Sequence, residues 1–446
     1  MQHTIVLFGA GKSATVLIDY LIKQSTTQQW HVIIADISKA AILEKTKLHP
    51  NTTAIALHVA NDVTARQQLV AQASIVLSLL PPHLHILVAQ DCITYRTHLI
   101  TASYTDDAIK KLEEDIKNKG ILFLYEMGLD PGIDHMSAMQ LINQIQQQGG
   151  NITSFVSHCG GLVAPDSDNN PWHYKISWNP ANVVTAGQAG ALYLLNHNQV
   201  QLQYDQLFAQ QNNITLIHGL GELAYYPNRN SLPYVSLYGL QSTSTFIRTT
   251  LRYPAYMQGW QAVIALKLTN TVTNYNTDGL SLAQFFIQHI TNFNLKDVLH
   301  NLPKQVKEQL IYLGFENSNI ILNKGTCTAA QILQYALEQA LMLQPTDKDM
   351  VVMQHEITYT KANAYTKNPQ KYLTTSTLIL EGENAQHTAM ATTVGLPMGI
   401  AAALVLQQNI TDTGLHIPTS SSIYNPVLAT LTGHNIKFKE FTIALI

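Results

Sequence analysis

The sequence predicts an α/β protein with a doubly wound parallel sheet at the N-terminus, followed by a second, mixed α/β domain and a small helical insertion. Three observations predict it. Short apolar runs alternate with helically spaced segments from Thr4 to Tyr125. A glycine-rich turn joins the first run to the first helix, and beyond Leu129 the texture changes to Tyr-, Asn- and Thr-rich stretches.

Thr4 to Phe8 is short, apolar and rich in β-branched types; Gly9-Ala10-Gly11 follows, then helical spacing over Ala14 to Ile22. His31 to Ala35 reads as a second strand ending at Asp36. Thr53 to His58, Ser74 to Leu79, His98 to Thr101 and Ile121 to Tyr125 continue the series, with helical segments such as Asp107 to Lys119 between them. Such alternation is the pattern of βαβ units and a parallel sheet. Beyond it, Thr153 to Cys159, Val235 to Tyr238, Ser244 to Tyr253 and Ala262 to Leu268 read as strands. From Ser281 to Met342, QFFIQHI, VKEQLIYL and AAQILQYALEQALML carry apolar residues three and four apart. Strands return at Met350 to Tyr359 and Tyr372 to Glu381, and Pro397 to Gln407 reads as an apolar helix.

A chain of 446 residues splits into two or three domains by size. With 46% hydrophobic and 12% charged residues it can bury a large core. The formal charge of −3 provides no cationic field for nucleic acid or for an anionic membrane surface, so neither partner is expected. Cys92, Cys159 and Cys327 form no CxxC pair and fit a reducing compartment. The opening MQHTIVLFGAG runs straight into a strand pattern, and no apolar run of about 20 residues follows. A cytoplasmic protein is the expectation. The 18 histidines show no HExxH or other ligand spacing, so no metal site is expected.

Gly9-Ala10-Gly11-Lys12-Ser13-Ala14 is a G-x-G-x-x-A fingerprint lying between a strand and a helix. In a Rossmann turn Gly9 permits the tight bend, Gly11 lets the backbone approach a pyrophosphate, and the N–H groups at the helix start, over Lys12 and Ser13, face the anion. Asp36 closes the second strand, where a carboxylate accepts from the adenine ribose 2′-OH and repels a 2′-phosphate. NAD is therefore favoured, with NADP as the alternative because Lys39 is near. Asp62 and Val63 after the third strand, Leu80 after the fourth and Ala102 after the fifth complete the expected cofactor contacts. An ordinary turn is the plain alternative for each.

A second constellation is Thr101-Ala102-Ser103-Tyr104 followed by Glu126-Met127-Gly128-Leu129-Asp130-Pro131-Gly132-Ile133-Asp134-His135. SLLPPHLHILVAQDCI, TASY and GLDPGIDHMSAM, then HCGGLVAPDSDNNPWHYKISW, YPNRNSLPY, IRTTLRYP, KDMVVMQHE and ATTVGLPMGIAAALVL, follow one another in order and spacing. In these blocks the chain resembles the saccharopine reductase family, the glutamate-forming saccharopine dehydrogenases, over nearly its whole length. The textures described above mark out four regions. Residues 1–128 form the Rossmann dinucleotide-binding domain, 129–280 and 345–395 a mixed α/β substrate and dimerisation domain, 281–344 a helical insertion, and 396–446 a segment packing back on the first domain.

The resemblance implies a reaction: oxidation of the secondary amine of saccharopine to an imine, hydrolysed to L-glutamate and 2-aminoadipate 6-semialdehyde. Its substrate carries three carboxylates, which suit guanidinium partners. Arg229 in YPNRNS and Arg252 in TTLRY match the substrate-binding motifs, with Thr250 and Leu251 beside the latter. Ser103, Tyr104 and Asp130 are implied substrate contacts, and Cys159 a pocket-lining thiol, since hydride transfer needs no covalent intermediate. Lys175 in HYKISW reads as an acid, a carboxylate clamp or a solvated lysine. Asp130, Tyr104, Lys175, Asp134 and His135 are the candidates to take the amine proton or activate water. A homodimer is expected from the family.

Two departures stand out. Asn179-Pro180 follows KISW where the family has small polar residues, and NRNS replaces NRDS. The alternatives are a related amine–semialdehyde coupling enzyme such as carboxynorspermidine synthase, and a non-catalytic NAD-binding regulator.

Overall fold

The computed structural model describes residues 3–209, 213–362 and 368–445. Two compact units divide the chain: Met1–Asn151 with Gln386–Lys439, and Ile152–Ala385 with Glu440–Ile446.

The first unit is built on a seven-stranded parallel sheet, in the order 414–416, 122–124, 98–101, 75–78, 4–8, 31–36, 52–56. The register runs Thr4 to His31 through Phe8 to Ala35 on one side of the first strand, and Ile5 to Ile75 through Phe8 to Ser78 on the other. Strand direction of the connections therefore reverses beside Thr4–Phe8, the switch point at which open α/β sheets collect ligands. Val6, Leu7, Val32, Ile34, Val76 and Leu77 are fully buried because helices cover both faces, which is why these strands read as continuous apolar runs.

Helix Ala389–Leu406 starts eight residues earlier than the expected Pro397, with Thr388 Oγ1 accepting from Ala391 N–H at 2.9 Å, and it carries Pro397 inside. By length and composition it could cross a membrane, yet 78% of it is buried in the protein. It packs on helix Thr15–Gln28, where a Cβ on Gly399 would come within 2.7 Å of the Tyr20 ring. The unit continues past the expected boundary at 128 because helix Ile133–Gln147 packs on helix Ser421–Gly433, with Asn143 Nδ2 donating to Tyr424 Oη at 2.7 Å.

In the second unit a ten-stranded sheet runs 214–217, 221–227, 245–252, 151–163, 349–361, 370–381, 439–445, with 191–195, 198–202 and 229–230 off this path. The segment expected at 396–446 thus divides at Lys439, since its last strand adds to this sheet. The helices 282–292, 304–312 and 329–341 do not form a separate insertion. Phe285, Phe286, Leu310, Leu333 and Leu337 share one core with Trp172, Tyr226, Tyr256 and Trp260.

Two stretches expected as strands are helical. Val235 to Tyr238 falls at the end of helix Leu232–Leu237, which Pro233 and the Asn230 side chain start, the latter accepting from Leu232 N–H at 3.0 Å. Ala262 to Leu268 falls at the end of helix Pro254–Ala265, whose buried Tyr256, Met257, Trp260 and Val263 have helical spacing. β-branched and aromatic composition is overridden in both by tertiary burial and an N-terminal proline.

One face of this sheet carries a polar network. Glu356 Oε1 accepts from Thr215 Oγ1 and Gln354 Nε2 at 2.9 Å each and lies 3.5 Å from His158 Nε2, while His158 Nδ1 meets Thr249 Oγ1 at 2.7 Å. Burial alone would raise the Glu356 carboxyl, but these donors outweigh it and hold it at about 2. A carboxylate lowered by folding contributes stability that is present above its ordinary value and is lost as pH falls through the folded one. The melting temperature of the wild type should therefore drop further than that of Glu356→Gln between pH 4.5 and about 2, as read by calorimetry. Parallel curves would remove Glu356 from the acid transition.

Candidate functional site

At the glycine turn, Gly9 has φ +99°, and a Cβ there would lie 2.9 Å from the Leu79 carbonyl oxygen. A Cβ on Gly11 would meet nothing within 4 Å, so its backbone faces open space at the start of the helical segment from Lys12. That combination, a turn only glycine permits and a bare approach at a helix start, fits a pyrophosphate. Asp36 is anchored by its own strand end: Oδ2 accepts from Ala10 N–H at 2.8 Å and Oδ1 from Ser38 N–H at 2.9 Å. The carboxylate thus tightens the turn from the end of the second strand.

Sequence reading passed over Lys45. Its Nζ donates to the Gly11 carbonyl at 3.0 Å and to Thr15 Oγ1 at 2.6 Å, and burial pulls the ammonium below its ordinary value. No local spacing announces a contact 34 residues away. Lys39, by contrast, is exposed, as are Gly11 and Lys12; Ser13 is half-buried. Asp62 Oδ2 accepts from His58 N–H at 2.7 Å and precedes helix Val63–Gln72, so both Asp62 and the exposed Val63 stand at the end of strand Thr52–Ala56. Leu80 follows strand Ile75–Ser78, and Ala102 faces Gly128, where an added Cβ would stand 3.0 Å from the Ala102 Cβ.

Beyond the fifth strand the structure brings together Ser103, Tyr104 and Asp130. Tyr104 Oη donates to Asp130 Oδ1 at 3.1 Å, and Ser103 Oγ lies 2.7 Å from His85 Nε2. Beneath them the GLDPGIDH turn is braced by buried polar side chains. His135 Nε2 is 2.8 Å from Glu126 Oε2, Glu126 Oε1 accepts from Thr105 N–H at 3.1 Å, and Asp134 Oδ1 accepts from Gly132 N–H at 2.6 Å. Asp134 and His135 are 2% and 0% exposed, so their side chains lie inside the support of the turn.

In the second unit, Thr250 pairs with Cys159 on one side and Tyr226 on the other, forming one row across three strands. Arg252, two residues on and on the same face, is 4% exposed. Its guanidinium carbon lies 5.4, 6.0 and 5.2 Å from the ring centroids of Tyr174, Tyr226 and Tyr256. One amino group donates to the Leu251 carbonyl at 2.8 Å, Nε has no hydrogen-bond partner, and no carboxylate among the described residues pairs with it. Burial works against the charge, but the tyrosine oxygens around it prevail and raise its pKa, so the guanidinium stays charged. A buried cation with an unmet donor is a receptor for an anion.

The other candidates sit differently. The Leu251 side chain turns to the opposite face, into the cluster with Leu162, Leu223 and Val352, so only its backbone lies on the row. There its Cβ approaches Gly160 so closely that an added methyl would stand 2.7 Å away. Arg229 is not beside Arg252: Ala224 pairs with Arg252, whereas Asn228 bonds to Arg248, and Arg229 follows it with φ 53°, exposed. Arg248, unnoticed in the sequence, is 2% exposed and stacks 4.4 Å over Tyr234. Lys175 Nζ is held by Asp347 Oδ2 at 2.6 Å, with both side chains about a tenth exposed or less. That oxygen also accepts from Gln344 N–H at 2.7 Å, so Lys175 is a wall element of the unit with its charge already countered.

The chain is similar to known proteins over its whole length. The family model described as "Saccharopine dehydrogenase NADP binding domain" matches residues 5–124, and "Saccharopine dehydrogenase C-terminal domain" matches residues 128–436. Alpha-aminoadipic semialdehyde synthase of Arabidopsis thaliana is 32% identical over 98% of this chain and 44% of its own length. Saccharopine dehydrogenase [NADP(+), L-glutamate-forming] of Saccharomyces cerevisiae is 29% identical over the full length of both. The solved structure of the apo histidine-tagged saccharopine dehydrogenase (L-Glu forming) from Saccharomyces cerevisiae superposes with a TM-score of 0.86, at 28% identity, covering 99% of this chain and 100% of that one. The chain spans about half the length of the semialdehyde synthases it matches.

Proposed function

The chain belongs to the saccharopine dehydrogenase family, and from that premise we propose that it oxidises saccharopine to L-glutamate and 2-aminoadipate 6-semialdehyde with a nicotinamide dinucleotide. One observation carries the reading. Arg252 is a buried guanidinium with an unmet donor and no acidic partner among the described residues, in a family whose substrate is rich in carboxylates.

The dinucleotide supplies a hydride acceptor for the carbon bearing the secondary amine. The residues of this chain do the rest. Gly9, Gly11 and the N–H groups after them receive the pyrophosphate. Tyr104 and Asp130, joined by a hydrogen bond, take the amine proton and direct water to the imine carbon. Arg252 fixes a carboxylate, Thr250 and Cys159 line the row beside it, and Lys175 in its ion pair keeps the wall in position. Arg229, exposed at the far end of the strand pair, is a second carboxylate partner in this reading. A homodimer formed through the second unit follows from the family, and light scattering of the eluted protein would report a monomer mass if that were wrong. Three thiols that form no disulfide suit the cytosol.

The test is absorbance of reduced nicotinamide when saccharopine is added with NAD or NADP, set beside reductive coupling of a semialdehyde with 1,3-diaminopropane. Turnover of saccharopine alone is the expected result; coupling alone would give the reaction to the rival class. The same assay reads the dinucleotide preference. We expect NAD to be favoured by the Asp36 charge, although the yeast relative is named for NADP(+). Because Asp36 also holds Ala10, Asp36→Ala should weaken NAD and shift the NADP-to-NAD ratio of kcat/KM upward by about tenfold, the value of a single charge-assisted bond. An unchanged ratio would show that Asp36 does not read the ribose.

A further inference from the structure

His85 opens helix His85–Tyr95, one turn beyond strand Ile75–Ser78, and is 3% exposed. Its ring spans two hydroxyls: Nδ1 is 2.9 Å from Ser78 Oγ, and Nε2 is 2.7 Å from Ser103 Oγ. Ser78 and Ser103 follow or end neighbouring strands of the parallel sheet, and Ser78 is sealed while Ser103 is half-buried beside Tyr104. The imidazole is therefore fixed at its inner end and presents its outer end to one candidate site hydroxyl.

A neutral imidazole has one ring nitrogen that donates and one that accepts, so a ring bonded at both ends determines what its partner hydroxyls can do. When Nε2 accepts, the Ser103 proton is drawn inward and the oxygen lone pairs face a ligand; when Nε2 donates, the Ser103 proton is left for the ligand. In either tautomer the hydroxyl is set before a ligand arrives. Burial holds the ring at about 4, against the opposing effects of Asp106 and of the Leu80 backbone carbonyl, which accepts from the ring, so the ring remains neutral at neutral pH. The edge of the ring also packs on Tyr125, with centroids 6.5 Å apart.

We infer that His85 is a positioning residue for the substrate: bridged between Ser78 and Ser103, it presets the direction of the Ser103 hydroxyl bond. This rests on the reading of Ser103 as a substrate contact. It assigns no proton transfer to His85, and it predicts that the two ring nitrogens are not equivalent in their effect on turnover.

Two amide replacements separate them. The Gln amide reaches the place of Nε2, whereas the Asn amide reaches only that of Nδ1. His85→Gln should keep kcat/KM for saccharopine within about threefold of the wild type, while His85→Asn and Ser103→Ala should each lose about tenfold or more, a typical share for one oriented hydrogen bond. The KM for the dinucleotide should not move in any of them. In the Ser103→Ala background His85→Asn should cost nothing further, since the residue acts through that hydroxyl. Equal losses in Gln and Asn, or additive losses with Ser103→Ala, overturn the inference. If Ser103→Ala turns over normally, it is instead the substrate-contact reading that fails. The bridge has its own readout without substrate: in protein carrying 15N-histidine, Ser103→Ala should shift the His85 Nε2 resonance, and an indifferent resonance would show that no bridge exists. The melting temperature of each variant separates these outcomes from misfolding.

Discussion

Arg252→Ala is expected to raise the KM for saccharopine by about 10- to 100-fold while leaving the dinucleotide KM within about twofold. A charge-assisted hydrogen bond is worth about 1.5–3 kcal/mol, and about 1.4 kcal/mol is a factor of ten. The effect should be at the upper end because the guanidinium is 4% exposed and walled by Tyr174, Tyr226 and Tyr256, so little water competes with a carboxylate. Removing it strands no acidic partner, since none among the described residues pairs with it, and the fold should tolerate the change better than the loss of Lys175 from its bond to Asp347. Arg252→Lys keeps the charge without the planar fork and should fall between the two. Steady-state kinetics with each ligand varied in turn decides it. Equal increases in both constants would mean that Arg252 supports the unit as a whole and binds no carboxylate.

Gly132→Ala should destabilise the first unit by about 3 kcal/mol or more and abolish turnover. Gly132 sits at φ +146°, and a Cβ there would lie 2.1 Å from the Gly128 carbonyl oxygen and 2.4 Å from its nitrogen. Gly128 has nowhere to retreat, since its own Cβ position is already 3.0 Å from the Ala102 side chain. The turn presents Asp130 to Tyr104, so strain and function are lost together. Gly149 provides the control: it has φ +77° with nothing within 4 Å of an added Cβ, and its alanine variant should lose only about 1 kcal/mol. Urea denaturation reads both, as a midpoint shift at constant slope. A Gly132→Ala midpoint equal to the wild type would mean that the turn relaxes without cost.

What could be read in the sequence was local, and what could not was mostly long-range. The glycine turn, Asp36 at the end of the second strand and the parallel series through Tyr125 depend on residues a few positions apart, so spacing suffices. Val235 to Tyr238 and Ala262 to Leu268 carry strand-like residue types, yet the prolines upstream and the burial of one face make both helical. The Arg252 surroundings draw Tyr174 and Tyr226 from distant segments to join the nearby Tyr256, and Lys175 meets Asp347 across 172 residues. No periodicity encodes such meetings. Arg248 and His85 were hidden for the same reason: in sequence they are an ordinary strand arginine and a helix-start histidine, and only the folded chain gives one an aromatic bed and the other two hydroxyls.

The path of the chain between the two units has a consequence for its evolution and engineering. It passes from one to the other after Asn151, after Ala385 and again after Lys439. A single recombination joint therefore cannot transplant either half: splicing at residue 151 would deprive the nucleotide-binding half of helix Ala389–Leu406 and of strand Gly414–His416, and a stop codon after Lys439 would strip an outer strand from the other half's sheet. The two halves are bound to be inherited as one piece.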